Sequence, residues 1–91
     1  MAGDDGVVIY WRPGCTFCMM LRLRLLRTPL KRKMVNIWQD PEAAAFVRSV
    51  ADGNETVPTV TVAGHAMVNP SKRQLLEAVE RYAPHALTKE A

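Results

Sequence analysis

The sequence predicts an α/β domain of order β-α-β-α-β-β-α built on a four-stranded mixed sheet. Three observations carry that expectation. Val7-Val8-Ile9-Tyr10 is an unbroken apolar run, the signature of a strand buried on both faces, and a helical pattern follows it directly. A second short strand comes after that helix, and strand, helix and strand in close succession make a βαβ unit with parallel strands and a right-handed crossover. Farther on, Thr59 to Val62 and Ala66 to Val68 flank Ala63-Gly64-His65, which reads as an antiparallel hairpin.

The elements follow in order. Pro13-Gly14 turns the chain after the first strand. The first helix is expected from Thr16 or Phe17 to Arg27, where Thr28-Pro29 ends it. It carries two apolar stripes: Met19, Leu23 and Leu26 form one, and Cys18, Leu21 and Leu25 the other. Such a helix is expected to lie on a sheet and be covered by a neighbour, with its methionines as core filler. Lys33 to Ile37 is the second strand. Asp40 caps the next helix, with Pro41 at its first position, and that helix runs to Ala51, before Asp52-Gly53-Asn54. After the hairpin, Asn69 and Pro70 are read as N-cap and first residue of the last helix. Its apolar face is Leu75, Leu76, Val79 and Tyr82, and Pro84 stops it. The whole chain, 1–91, is one domain, with 1–6 and 85–91 expected as flexible tails.

Both cysteines of the chain lie in Trp11-Arg12-Pro13-Gly14-Cys15-Thr16-Phe17-Cys18, where the first strand hands over to the first helix. The opening amides of a helix have no partner within it, and the aligned peptide dipoles leave positive charge there. A thiolate at that position is favoured over the thiol, and the thiolate is the nucleophile. The spacing therefore predicts one exposed, reactive thiol, Cys15, and one sheltered thiol, Cys18, able to close on it. A zinc site would need four ligands, and the remaining candidates, His65 and His85, lack the close spacing of a finger. A static bridge over so small a loop would add little to a chain that is 48% apolar. A redox pair with no metal is the reading that remains.

The formal charge is +3, and seven of the twelve Lys and Arg residues fall between Arg12 and Lys33. No groove-reading motif or aromatic platform accompanies them, so no nucleic acid is expected as a partner. The cluster reads as the solvated side of a helix around a site that attracts anions. There is no apolar stretch of membrane-spanning length and no signal-peptide pattern in Met1 to Gly6. The expectation is a cytoplasmic monomer, in a compartment where paired cysteines are more often catalytic than structural.

With the elements in this order, the chain resembles the glutaredoxin branch of the thioredoxin fold. Cys15-Thr16-Phe17-Cys18 is similar to the family's C-P-Y-C, and Thr56-Val57-Pro58 to its T-V-P. Arg12 stands where glutaredoxins carry a Lys that contacts the carboxylate of the thiol cofactor. The resemblance implies a three-layer α/β/α arrangement and a thiol-disulfide oxidoreductase. It implies that Pro58 is cis, that the backbone of Val57 faces Cys15 and pairs with the bound thiol, and that Thr56 belongs to the same loop. Phe17 would shield the sulfurs. Runs such as Asp40 to Val47 and Gly53 to Val60 are similar to the actinobacterial mycoredoxins.

Val68-Asn69-Pro70-Ser71 replaces the Gly-Gly segment that holds the glutamyl end of glutathione in the wider family. The resemblance thus implies mycothiol rather than glutathione as the low-molecular-weight thiol. Asn69 and Ser71, at a helix start, would offer free amides to it. Arg12, Pro13, Gly14 and Thr16 depart from the mycoredoxin pattern. The implied partners are S-thiolated or disulfide-bearing proteins, the small thiol and a flavoprotein disulfide reductase. Two other roles share these motifs: a reductase-fed redoxin donating electrons to ribonucleotide reductase or a peroxidase, and a 2Fe–2S cluster held between two chains.

Overall fold

The computed structural model describes residues 6–87. The elements are β1 (Val7–Trp11), α1 (Thr16–Arg24), β2 (Arg32–Asn36), α2 (Pro41–Val50), β3 (Thr59–Val62), β4 (His65–Val68) and α3 (Lys72–Tyr82), followed by a 3₁₀ turn over Pro84–Leu87. The sheet order is β2-β1-β3-β4. β1 pairs parallel with β2, Val7 beside Arg32 and Trp11 beside Asn36. It pairs antiparallel with β3, Val7 beside Val62 and Tyr10 beside Thr59. The β3–β4 hairpin sets Val62 opposite His65. This is the expected mixed, four-stranded α/β architecture.

Alternation along β1 divides the core in two. Val7 and Ile9 join Leu21 and Leu25 of α1, Val60 and Val62 of β3, and Leu75 and Val79 of α3 in one cluster. Tyr10 and Val35 point the other way, against the cluster of Ala43, Ala44 and Val47 of α2 with Ile37, Val57 and both cysteines. Helices on both faces of the sheet follow from that alternation. Thr59 and Thr61 are buried as well, so β3 is enclosed on both sides. Thr59 satisfies its hydroxyl by donating to the Thr56 carbonyl at 2.7 Å. The predicted cap of α2 is present, with the Asp40 carboxylate accepting from the Ala43 amide at 3.1 Å.

Several expectations are corrected. α1 ends at Arg24, not Arg27, because the chain tightens there: the Leu25 amide bonds both the Leu21 and Arg22 carbonyls, and Leu26 bonds Leu23. Pro29 forbids continuation, and the turn drops Leu30 into the core. The two apolar stripes of α1 do not share a fate. Leu21 and Leu25 are buried, whereas Met19 (60%), Leu23 (61%) and Leu26 (65%) face solvent. The helix methionines Met19 and Met20 are likewise exposed rather than core filler.

At α3 the N-cap is Ser71, not Asn69. Its hydroxyl accepts from the Gln74 amide at 3.0 Å, and the Gln74 side chain accepts from the Ser71 amide at 2.9 Å, a complete capping box. Asn69 is left-handed, at φ 50°, a backbone unlike that of an N-cap, and Pro70 precedes the helix. The predicted tail from His85 onward is ordered as far as Leu87. Ala86 is buried, and its carbonyl accepts from the Lys31 amide at 2.8 Å. Gly6, also assigned to a tail, bonds through its carbonyl to the Ala63 amide at 2.9 Å. The rest of both predicted tails lies outside the described residues.

The two stripes of α1 predict different costs. Leu25→Ala should lower unfolding free energy by about 2–5 kcal/mol, because it empties a filled core position. Leu23→Ala should change it by less than about 0.5 kcal/mol. Urea denaturation followed by circular dichroism measures both, and equal losses would contradict the assignment of faces.

Candidate active site

Three backbone segments meet at one end of the sheet. β1 runs out through Trp11 into the Cys15 loop. β2 runs out beside it, and the Ile37 amide bonds the Trp11 carbonyl at 2.9 Å. β3 is antiparallel, so its start, the loop Glu55-Thr56-Val57-Pro58, comes to the same end.

Cys15 is the N-cap residue of α1. Its backbone is extended (φ −86°, ψ 111°), and its Sγ accepts the Cys18 amide at 3.2 Å. The sulfur therefore occupies the place of a capping oxygen, at the positive end of the helix. On the other side the Cys15 thiol donates to the Val57 carbonyl at 3.5 Å. The Val57–Pro58 peptide is cis. Both cysteines are free thiols.

Cys15 was expected to be exposed, but its residue is 6% accessible, close to the 7% of Cys18. The apolar cluster that contains Ile37 and Val57, the latter from the loop that ends at cis-Pro58, packs around it. The two thiols differ in environment rather than in exposure. The Cys18 thiol is pushed up from 9.0 to about 12, first by burial and next by the hydrogen bond that it shares with Cys15; a backbone hydrogen bond with Arg12 opposes the rise.

The remaining predicted site residues divide. Arg12 is half-buried, and its guanidinium donates to the Glu55 carbonyl at 3.4 Å, which ties the cysteine loop to the proline loop. Thr56 holds the start of β3 through its carbonyl. Phe17 is 63% exposed beside the pair, so it is not part of the core. Asn69 reaches the site through its backbone, donating to the Pro58 carbonyl at 2.7 Å. Ser71 does not offer a free amide, because its N–H and hydroxyl are both committed to the capping box. Trp11 lies on the side of the cleft between α1 and β2, with Arg22 and Met34.

Sequence reasoning missed Glu55. Its carbonyl receives Arg12 and its carboxylate pairs with Arg48 at 2.6 Å, so it braces the loop from two directions. Its position immediately before Thr56-Val57-Pro58 was the available signal.

Taken together, a sulfur at a helix N-terminus, a second thiol one turn on and the Val57 carbonyl, at the cis bond to Pro58, facing the first sulfur suit disulfide exchange. A family model for glutaredoxin matches residues 7–67. The chain belongs to the glutaredoxin family. Two relatives agree. A Mycobacterium tuberculosis protein provisionally named a glutaredoxin is 39% identical over 66 residues, covering 71% of this chain and 79% of that one. Mycoredoxin 1 of Corynebacterium glutamicum is 33% identical over 80 residues, covering 87% of this chain and 99% of that one.

Among solved structures, a thioredoxin-like protein mutant is similar with a TM-score of 0.66 at 20% identity, covering 85% of this chain and 97% of its own. A wheat glutaredoxin has a TM-score of 0.64 at 16% identity, covering 90% and 86%. These two show the shared thioredoxin-like fold. As a glutaredoxin, this chain is a thiol-disulfide oxidoreductase that acts on disulfide-bearing proteins with a low-molecular-weight thiol as co-substrate. Among the described residues no helix is long and apolar enough to cross a membrane.

Burial and the contact with Cys15 keep the Cys18 thiol protonated at neutral pH. A thiol that ionises near pH 12 is about one part in 100,000 thiolate at pH 7. Cys18 should therefore resist iodoacetamide in the folded protein at pH 7, and its alkylation rate should rise about tenfold per pH unit from pH 7 to pH 10. Peptide mapping by mass spectrometry reads this directly, and rapid labelling of Cys18 at pH 7 would contradict it. The fold should also lose stability as pH rises from about 9 towards 12, where the unfolded thiol has ionised and the folded one has not.

Proposed function

We propose that this glutaredoxin reduces mixed disulfides between proteins and mycothiol, with Cys15 as the attacking sulfur and Cys18 as the resolving one. The observation that carries the reading is the seat of Cys15, capped by the Cys18 amide at 3.2 Å and facing the Val57 carbonyl at 3.5 Å. An N–H donor and the positive end of the helix are therefore in place at that sulfur before any substrate arrives.

The steps follow from thiol exchange. The Cys15 thiolate attacks the small-thiol sulfur of the mixed disulfide. The protein sulfur leaves with the electron pair and takes up a proton, and Cys15 is joined to the small thiol. A second small-thiol thiolate then attacks that adduct, releasing the small thiol's own disulfide and restoring the Cys15 thiolate. Alternatively, Cys18 gives up its proton and attacks Cys15, which releases the small thiol and leaves a Cys15–Cys18 disulfide. The raised Cys18 value supports an order of events: Cys18 stays protonated at rest, so it does not compete with the incoming small thiol. A flavoprotein disulfide reductase returns the oxidised small thiol to its reduced form. The protein works as a monomer in the cytoplasm.

Arg12, Val57 and Pro58 form the thiol's seat in this reading. The Arg12 fork, held at the Glu55 carbonyl, meets a carboxylate or sugar hydroxyl, and the Val57 backbone pairs with the thiol's amide. Phe17 covers the bound thiol. Thr56 and Asn69 fix the proline loop from either side, and Ser71 acts by capping α3. The preference for mycothiol rests on the likeness to mycoredoxin 1 and on Val68-Asn69-Pro70-Ser71 in place of a Gly-Gly turn.

A coupled turnover assay on one S-thiolated peptide tests this reading. Mycothiol should support kcat/KM at least about tenfold above glutathione, and equal rates would remove the mycothiol assignment. Cys15→Ser should abolish turnover, a fall of about a thousandfold or more. Cys18→Ser should keep most of it, and its complete loss would favour the reductase-fed dithiol route. Arg12→Ala should raise KM for the small thiol about tenfold with kcat little changed.

A further inference from the structure

α1 presents an apolar surface to solvent that its own domain does not cover. Met19, Leu23 and Leu26 lie opposite the buried Leu21 and Leu25, and Met20 and Phe17 extend the surface to the start of the helix. Single exposed apolar residues are ordinary, but a continuous group on one short helix and the turn that ends it is not. Arg22 and Arg24 flank the stripe and Arg27 lies at its far end. A cleft of about 590 Å³ adjoins it, lined by Trp11, Arg22, Leu30, Lys31, Arg32 and Met34. Between Gly6 and Gln39 the chain carries seven basic residues and no acidic one. Five of these, Arg22, Arg24, Arg27, Lys31 and Arg32, border the stripe or the cleft, whereas Lys33 lies on the α2 side with Tyr10 and Val35.

We infer that the outer face of α1 and the adjoining basic cleft dock the acidic protein substrates whose disulfides Cys15 attacks. This inference rests on the Cys15 reading above. Three considerations select the occupant. Met, Arg and aromatic residues are the types enriched where proteins meet, and an apolar centre rimmed by guanidinium groups complements a surface of apolar residues rimmed by carboxylates. A nucleic acid would set charged phosphates against Met19, Leu23 and Leu26. Distance favours a substrate over a lipid surface. At 1.5 Å per residue Leu23 is roughly 12 Å along the axis from Cys15, with Leu26 in the turn just beyond, so a contact of about 800 Å² on this side reaches from the stripe to the reacting sulfur. Thr16 and Phe17, between the two cysteines, belong to both regions. A protein that covers this face therefore delivers its own disulfide to Cys15.

The test uses two synthetic amphipathic peptides with the same leucines and one cysteine each, S-thiolated with the small thiol that supports turnover. One has Glu on its polar face and the other Lys; bis(2-hydroxyethyl) disulfide is the small control. At low salt the full-length protein should turn over the Glu peptide with kcat/KM at least tenfold above the Lys peptide, and the ratio should shrink severalfold in 500 mM NaCl. The triple variant Arg22→Ala, Arg24→Ala, Arg27→Ala keeps helix propensity and should lower that ratio at least fivefold. Leu23→Gln with Leu26→Gln should raise KM for the Glu peptide. Both variants should leave the hydroxyethyl disulfide rate unchanged. Equal rates on the two peptides, or no response to the arginine variant, would overturn the inference. So would a dimer in sedimentation velocity that the leucine variant dissociates, or binding to phosphatidylglycerol vesicles without peptide discrimination. If the parent protein fails on hydroxyethyl disulfide, the Cys15 reading fails instead. Anisotropy of labelled cysteine-free peptides then decides the docking surface separately, with tighter binding of the Glu peptide expected and equal binding overturning it.

Discussion

β1 is the strand on which the site depends, because it is paired on both sides with partners of opposite sense. Parallel pairing with β2 and antiparallel pairing with β3 bring the exit of β1, the exit of β2 and the entry of β3 to one end of the sheet. Cys15 and Val57 are distant in sequence, yet they are within hydrogen-bonding distance as a result. A one-residue slip between β1 and β3 would turn Val60 and Val62 out of the core and move the proline loop off the cysteines. The register is secured by burial, since Val7, Ile9, Val60 and Val62 share one cluster with α1 and α3.

Within that frame the two sulfurs acquire different roles from similar burial. Cys15 stands in the N-cap position, where the protein supplies an amide and the end of a helix dipole. Cys18 lies one turn deeper, where burial and its contact with Cys15 keep the proton on sulfur. The difference is thus one of hydrogen bonding and field rather than of access to solvent. The loop opposite is braced with comparable care: Arg12 and Arg48 both reach Glu55, Thr59 holds Thr56, and Asn69 holds Pro58. These bonds order a surface loop that has no sheet partner of its own, as disulfide exchange requires if the attacking sulfur is to meet its target in line.

α1 serves two surfaces at once. Its inner face closes the core through Leu21 and Leu25, and its start carries both cysteines. Its outer face, apolar and bordered by arginine, contributes little to folding. In the proposed docking, recognition and reaction share this one element, and a partner seated on the helix is oriented towards its N-terminus.

The order of elements, the βαβ unit, the hairpin and the cysteine pair at a helix start were legible in residues 7–83, because periodicity, β-branching and turn chemistry are local properties. So was the Asp40 cap. Contacts made across the fold were not. Asn69 and Ser71 both have side chains that cap helices; Gln74, three residues after Ser71, was a local signal for Ser71, whereas the bond from the Asn69 amide to Pro58 was not readable from the sequence. The two leucine stripes of α1 look alike on a wheel, but a nine-residue helix on a narrow sheet has neighbours for only one of them. Ala86 carries no local signal for order and is held by Lys31 and the core. The sequence alone determined which atoms can react, since thiol chemistry belongs to the residue. The tertiary structure decided their surroundings, since burial and hydrogen-bond partners come from segments far apart in the chain.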